Sequence, residues 1–200
     1  MPVHCRSQLD FELDCLEKQG VISPIEHANN ASPVVWVKKP TGRYRMCCDF
    51  KATLNSNIMS DAYPLPTIEE ISSKIGNCSL FSKLDLKCAY WQIELDDESK
   101  ELSVINTHKG LYRVNRMQMG MKNASAIFQR CIEHILKNMP YVIVYQDDVM
   151  ICATSAPQMD RYLKAVESRL SDYNVTINLE KCVEKTESLK FLVMVFPKMV

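Results

Sequence analysis

Two adjacent carboxylates, Asp147 and Asp148, sit between the apolar runs Val142-Ile143-Val144-Tyr145 and Val149-Met150-Ile151-Cys152. That pattern is two buried strands joined by a tight turn. An unpaired carboxylate in an apolar setting costs enough that it would neutralise, so an adjacent pair calls for solvent, basic partners or a metal ion. A divalent cation bound by oxygen ligands is the sharpest of these readings. Asp also favours turns, and on the dipeptide alone a polar hairpin tip is the stronger reading.

A second stretch changes the balance. Asp85 closes the short apolar segment Leu80-Phe81-Ser82-Lys83-Leu84, so a third carboxylate reaches the pair if the two strands are neighbours in one sheet. Three carboxylates on adjoining strand ends suit two Mg2+ ions about 3.5 to 4 Å apart, the arrangement of polymerases and nucleases. There one ion activates an attacking hydroxyl and the other stabilises departing pyrophosphate. The other acidic pair, Asp96-Asp97, leads into the polar run Ser99-Lys100-Glu101 and reads as a solvated turn.

The elements that must position these residues are legible as patterns. Ser7 to Gln19 carries Leu9, Leu13 and Leu16 at helical spacing and stops at Gly20. Val21-Ile22-Ser23-Pro24 turns into a polar stretch. Ala31 to Lys38 and Arg43 to Phe50 read as a hairpin whose tip gathers Lys38, Lys39, Arg43 and Arg45, which taken alone is a solvated tip. Thr67-Ile68-Glu69-Glu70 is a capping box for a helix closing at Gly76. Leu102 to Thr107 and Leu111 to Arg116 read as a strand pair turning at Lys109-Gly110. Asn123 is placed to cap a helix from Ala124 to about Asn138, with Ala126, Ile127, Ile132, Ile135 and Leu136 as its apolar stripe. Pro157 to about Tyr173 reads as a second amphipathic helix, and Val175 to Ile177 and Leu189 to Phe196 as final strands. Strands and helices without regular βαβ alternation point to an α+β fold, a mostly antiparallel sheet backed by helices.

Composition excludes several classes. The 200 residues are 46% hydrophobic and 24% charged, ordinary for a globular chain and unlike a disordered one. With 24 basic and 24 acidic residues the net charge is zero, so any nucleic-acid site is a local patch. Nine cysteines, an odd number without Cys-x-x-Cys spacing, read as small core residues of a reduced, cytoplasmic or nuclear protein. No apolar run approaches the ~18 residues of a membrane span, so no membrane partner is expected.

Six blocks in one order carry a resemblance. Val34-Val35-Trp36-Val37-Lys38-Lys39, Arg45-Met46-Cys47-Cys48-Asp49-Phe50, Tyr63-Pro64-Leu65-Pro66, Phe81-Ser82-Lys83-Leu84-Asp85-Leu86, Tyr145-Gln146-Asp147-Asp148 and Asn178-Leu179-Glu180-Lys181-Cys182 together resemble the reverse transcriptase of gypsy-class LTR retrotransposons and their retroviral relatives. The resemblance implies a polymerase palm with a fingers β-hairpin: fingers at approximately 1–79 and 93–118, palm at approximately 80–92 and 119–200. It makes Asp85, Asp147 and Asp148 the catalytic, metal-binding residues for two Mg2+ ions, or Mn2+. It assigns the incoming deoxynucleotide to Lys39 and Arg45 as a triphosphate clamp, with Leu86, Tyr90, Met119 and Gly120; Tyr90 would lie under the sugar and exclude a 2'-hydroxyl. As a core tyrosine, the same residue has a purely structural alternative. Tyr145, Gln146, Phe191 and Leu192 are placed near the primer. Implied partners are an RNA or DNA template-primer and dNTPs.

The chain also departs from the family pattern. Gln118-Met119-Gly120 stands where relatives usually read Pro-Phe-Gly, Ser125 replaces a Pro, and Ala89 takes a position that is commonly Gly. Phe191-Leu192-Val193-Met194 stands where the family has Phe-Leu-Gly-His, and Val193 would strain a turn that needs Gly. No thumb follows before Val200, so thumb, ribonuclease H and integrase regions are expected of a longer Pol polyprotein. Beside an RNA-directed DNA polymerase domain, two other readings remain open: a truncated, decayed or repurposed copy that folds or binds nucleic acid without synthesis, and another palm-type enzyme such as a nucleotide cyclase.

Overall fold

The computed structural model describes residues 6–40, 42–191 and 194–197. In chain order its elements are α1 (Arg6–Lys18), β1 (Ile22–Ile25), β2 (Ser32–Lys38), β3 (Tyr44–Cys48), α2 (Leu54–Asn57), α3 (Ile68–Ile75) and β4 (Leu80–Asp85). A single 3-10 turn at Ala89–Gln92 leads to α4 (Asp97–Leu102), β5 (Val104–Thr107), β6 (Gly110–Val114), α5 (Ala124–Ile135), β7 (Val142–Tyr145) and β8 (Asp148–Ala153). Then follow α6 (Ala156–Asp172), a 3-10 turn at Leu179–Lys181, β9 (Val183–Thr186), β10 (Ser188–Phe191) and β11 (Met194–Pro197). The chain divides into two compact units, Met1–Asp61 with Tyr90–Ala124 and Ala62–Ala89 with Ser125–Val200.

The first unit is a five-stranded sheet in the order β1-β6-β5-β2-β3, antiparallel except where Ser32 and Pro33 of β2 run parallel to β5. The leucine stripe of α1 buries Leu9, Leu13 and Leu16. Leu13 and Leu16 join Ile22, Met46, Phe50, Ile105 and Val114 in one core. β1, expected only as a turn, is an edge strand paired with β6, and an edge is where a sheet tolerates Pro24. The acidic stretch expected as a solvated turn starts α4 instead: the Asp96 carboxylate accepts from the Ser99 amide at 2.7 Å. That bond holds the Asp96 carboxyl below its ordinary range. The side chain of Asn123, just before α5, makes bonds to a distant loop. Its Oδ1 accepts from the Asp61 amide at 3.0 Å and its Nδ2 donates to the Met59 carbonyl at 2.8 Å, fastening that loop.

The second unit carries a four-stranded antiparallel sheet, β7-β8-β4-β9. One of its faces presents Phe81, Ile143, Met150 and Cys152 to Ile71 and Ile75 of α3 and to Leu189 and Phe191 of β10. The other face buries Leu84, Val144, Val149 and Ile151, with α6 packed on β8 and β4. Two covered faces explain why β7 and β8 read as unbroken apolar runs although they are antiparallel. Helix α3, which the resemblance allots to the fingers, thus packs into the core of this second unit. No separate strand forms at Val175 to Ile177, where Ile177 makes one isolated bridge to Leu86. The last apolar run splits into the antiparallel partners β10 and β11, and Leu192 and Val193 lie outside the described residues.

The cysteines are less uniform than expected. Of the described ones only Cys48 and Cys152 are buried, and burial pushes both thiols up to about 12; Cys88 is exposed. Among the described residues no helix is long and apolar enough to cross a membrane.

The capping box forms as its sequence dictates. The Thr67 hydroxyl accepts from the Glu70 amide at 3.2 Å, and the Glu70 carboxylate accepts from the Thr67 amide at 2.8 Å. Thr67→Ala removes one half of this exchange at an exposed position and should cost about 1 kcal/mol. Urea unfolding checks it, and an unchanged midpoint would show that α3 is held by its Ile71 and Ile75 packing alone.

Candidate active site

The register of β4, β8 and β7 places Asp85 directly opposite Asp148, and Asp148 directly opposite Tyr145. Paired residues of antiparallel strands share a face, so these three form a row across one end of the sheet. Alternation puts the row on the same face as Phe81, Ile143 and Met150, so an apolar core face ends in acidic and phenolic groups. Tyr145 is half-buried against that core. The loop between β7 and β8 is the two residues Gln146 and Asp147, and Gln146 has a left-handed φ of 54°. The amide of Leu86 donates to the Asp147 carbonyl at 3.2 Å, which ties the end of β4 to the turn. Leu86 itself is buried, so its backbone, not its side chain, borders the acidic row.

Each described carboxylate of the row has a counterpart. The Lys83 Nζ lies 2.7 Å from Asp148 Oδ2, with side chains 24% and 23% exposed. Asp85 Oδ1 accepts from Asn178 Nδ2 at 3.2 Å, and the Asn178 amide donates to the Asp85 carbonyl at 2.8 Å. Lys181 stands 3.9 Å from Asp85 Oδ2 but is 68% exposed, so that pair contributes little. The Asp147 side chain is exposed at the turn. Among the described residues no group of three or more His, Cys, Asp or Glu side chains is gathered closely enough to hold a metal ion as it stands. The donor set nonetheless fits a hard divalent cation, being all carboxylate, and a positive charge already rests against Asp148 in the form of Lys83.

A residue absent from the sequence-based set holds the turn. Gln129 of α5 is fully buried. Its Oε1 accepts from the Gln146 amide at 2.7 Å, and its Nε2 donates to the Val144 carbonyl at 2.9 Å and to Glu133 Oε1 at 2.7 Å. Glu133 Oε2 in turn accepts from the Tyr63 hydroxyl at 2.5 Å, and the Arg130 guanidinium lies 5.1 Å above the Tyr63 ring. The bond to Glu133 raises the Tyr63 phenol above its ordinary value. The signal for Gln129 was present: it lies three residues from both Ala126 and Ile132, a polar residue inside the apolar stripe of its helix.

The residues assigned to the nucleotide lie in the first unit, except Leu86. Arg45 is paired opposite Val37, and the Lys39 amide donates to the Arg43 carbonyl at 2.7 Å, so both cations flank the exposed β2–β3 tip. Tyr90 is half-buried in the 3-10 turn Ala89–Gln92. Ala89 is buried with an ordinary backbone conformation, and the left-handed φ falls on Cys88 at 51°. Met119 is exposed. Gly120 has φ +95°, and a Cβ there would meet the Cys48 carbonyl oxygen at 3.0 Å. Gln118, one of the departures, is buried and satisfied: its Oε1 accepts from the Trp91 indole at 2.9 Å and its Nε2 donates to the Arg116 carbonyl at 3.1 Å. Phe191 is fully buried in the second unit's core, where it anchors β10. Leu192 lies outside the described residues.

Residues 37–196 match the family described as reverse transcriptase (RNA-dependent DNA polymerase). An uncharacterised protein of Caenorhabditis elegans is 38% identical over 96% of this chain and 15% of its own length. The retrovirus-related Pol polyproteins from transposons 297 and gypsy of Drosophila melanogaster are 34% and 32% identical, over 92% and 94% of this chain and 18% and 19% of theirs. The chain therefore spans under a fifth of the length of these relatives. Among solved structures, the prototype foamy virus protease-reverse transcriptase superposes with a TM-score of 0.88 at 25% identity, over 98% of this chain and 26% of that one. The foamy viral enzyme in complex with an RNA/DNA hybrid gives 0.89 at 21% identity, over 99% of this chain and 26% of that one, a likeness of fold.

Gln129→Leu strips partners from the Gln146 amide and the Val144 carbonyl and should cost about 2–6 kcal/mol, since each orphaned buried group costs about 1–3 kcal/mol. Hydrogen exchange at the Gln146 amide should accelerate beyond what global destabilisation explains. Unchanged protection there would show that the turn is held without Gln129.

Proposed function

The chain belongs to the reverse transcriptase (RNA-dependent DNA polymerase) family, and from that membership we propose that it is the fingers and palm of a retroelement polymerase that extends a primer 3'-hydroxyl with deoxynucleotides on an RNA or DNA template. The observation that carries the reading is the cross-strand register that sets Asp85 against Asp148 with Asp147 in the adjoining two-residue turn. The first unit, with the β2–β3 hairpin, corresponds to fingers, and the second, with the acidic row, to palm.

Asp85, Asp147 and Asp148 are the residues that would hold two Mg2+ ions, with Mn2+ as a substitute. When bound, such ions activate an attacking hydroxyl and stabilise the charge of departing pyrophosphate. The protein's own groups supply orientation. Leu86 and Asn178 hold the backbone of the acidic row through the Asp147 and Asp85 carbonyls, so Asp85 and Asp148 are preorganised on paired strands and Asp147 in the turn tied to them. Lys39 and Arg45 grip the triphosphate, where cations make the stronger class of hydrogen bond. Tyr90 lies under the sugar and rejects a 2'-hydroxyl. Gln146 approaches the primer end, and the Phe191 hairpin supports the primer strand. Template and primer are held largely through their phosphate backbones, so affinity falls steeply with salt. The rest of a Pol polyprotein would supply the further contacts.

The test is extension of a labelled DNA primer on an RNA template with dNTPs and Mg2+. Asp148→Asn should abolish extension while the protein still melts cooperatively, and template-dependent synthesis surviving in that variant would sink the metal assignment. Tyr90→Ala should admit ribonucleotides, read as a fall in the ratio of kcat/KM for dNTP over rNTP; an unchanged ratio would leave Tyr90 as a packing residue.

A further inference from the structure

Lys83 stands on the sheet face that ends in the acidic row, between Phe81 and Asp85 along β4 and opposite the fully buried Met150. Its side chain is only 24% exposed, low for a lysine, and its ammonium sits 2.7 Å from Asp148 Oδ2. A lysine enclosed on an apolar face needs an acidic partner, and here that partner is a carboxylate assigned to metal binding. Asp85, opposite Asp148, is held by Asn178 instead, with the distant, exposed Lys181 as a charge partner. Lys83 is therefore the one enclosed cation, among the described residues, in contact with the acidic row.

We propose that Lys83 is a built-in counter-ion of the metal site: it holds Asp148 in the metal-free protein and must be displaced from Asp148 Oδ2 when a divalent cation binds, so that it weakens metal affinity while stabilising the empty site. The inference rests on the assignment of the acidic row to metal binding. Its physical basis is charge. Carboxylates at one sheet end repel each other, and an ammonium resting on Asp148 offsets part of that repulsion. Any divalent ion entering the row then meets both a competitor for Asp148 and a nearby positive charge. In the free protein the lysine keeps the row compact without metal, and in the loaded protein it becomes an electrostatic burden.

The experiment is a direct Mn2+ titration, reading the electron paramagnetic resonance signal of unbound Mn2+, on the full chain and without nucleotide. Lys83→Met keeps the apolar stem and removes the charge, and should tighten Mn2+ binding about tenfold, the scale of one modest charge interaction. The same variant should melt at a lower temperature in EDTA and show a larger rise on adding Mn2+. Lys83→Arg, which keeps the charge, should bind Mn2+ like the parent. In an Asp148→Asn background the tightening by Lys83→Met should shrink, because the contest for Asp148 Oδ2 is gone and only the nearby charge is removed. Lys83→Gln carries the same expectation as Lys83→Met should the latter not fold. Equal or weaker Mn2+ binding by the charge-removed variant overturns the proposal, because a lysine that merely orients Asp148 for metal would have that effect. Asp85→Asn and Asp147→Asn separate the two levels: if neither lowers Mn2+ binding, the metal-site reading itself fails. If both lower it and Lys83→Met does not tighten it, only the role of Lys83 fails.

Discussion

The pairing of β4 with β8 is the constraint on which the rest depends. Six consecutive cross-strand pairs, from Leu80 with Ala153 to Asp85 with Asp148, fix which residues share a face. A slip of one residue would send Asp85 into the face covered by α6 and bring Leu84 to the row. Both faces are buried, so such a slip would exchange a carboxylate for a leucine in each environment, and both exchanges are unfavourable. Hydrophobic packing thus enforces the register, and the register assembles the acidic row without any loop having to find its place.

Clustering acidic groups at the end of a buried sheet face creates an electrostatic load, and the second unit meets it locally. Lys83 answers Asp148 along the same face, and Asn178 answers Asp85 from the segment leading into β9. The two devices differ. An amide donates a hydrogen bond to a carboxylate without contesting the site for a cation, whereas an ammonium does both. The distribution leaves the exposed Asp147 as the carboxylate with the most direct access to solvent and ions.

Much of this was legible in the sequence because its patterns are local. The leucine stripe of α1, the capping box at Thr67 and the apolar runs flanking Asp147-Asp148 each report one periodicity, and each formed as read. The misreadings have physical causes. Ser23-Pro24 hid an edge strand, because proline is tolerated only where no neighbour needs its missing N–H. Asp96 looked like a solvated turn because an N-cap and a turn favour the same residues. Asn123 has the chemistry of a cap, and its bonds to the Met59 to Asp61 loop are tertiary contacts that no local pattern names. Lys83 and Gln129 lie inside a strand and a helix whose periodicity is plain, yet their roles depend on partners 65 and 17 residues away, Asp148 and Gln146, which no local pattern names.

The turn itself shows how strain and burial are set against each other. A left-handed φ at a residue with a Cβ costs about 1–2 kcal/mol, a cost glycine would avoid. The Gln146 amide is instead met by the buried Oε1 of Gln129, whose other end is fixed by Val144 and Glu133. A hydrogen bond in that enclosed setting is expensive to lose, so it holds the backbone in the unfavourable region and fixes where Asp147 follows. Glycine at this position would relax the strain but leave more conformations open to the turn that carries the carboxylate. The arrangement makes α5 a structural backing for the acidic end of the sheet: its apolar stripe secures the helix, and the one glutamine within that stripe transmits its position to the turn.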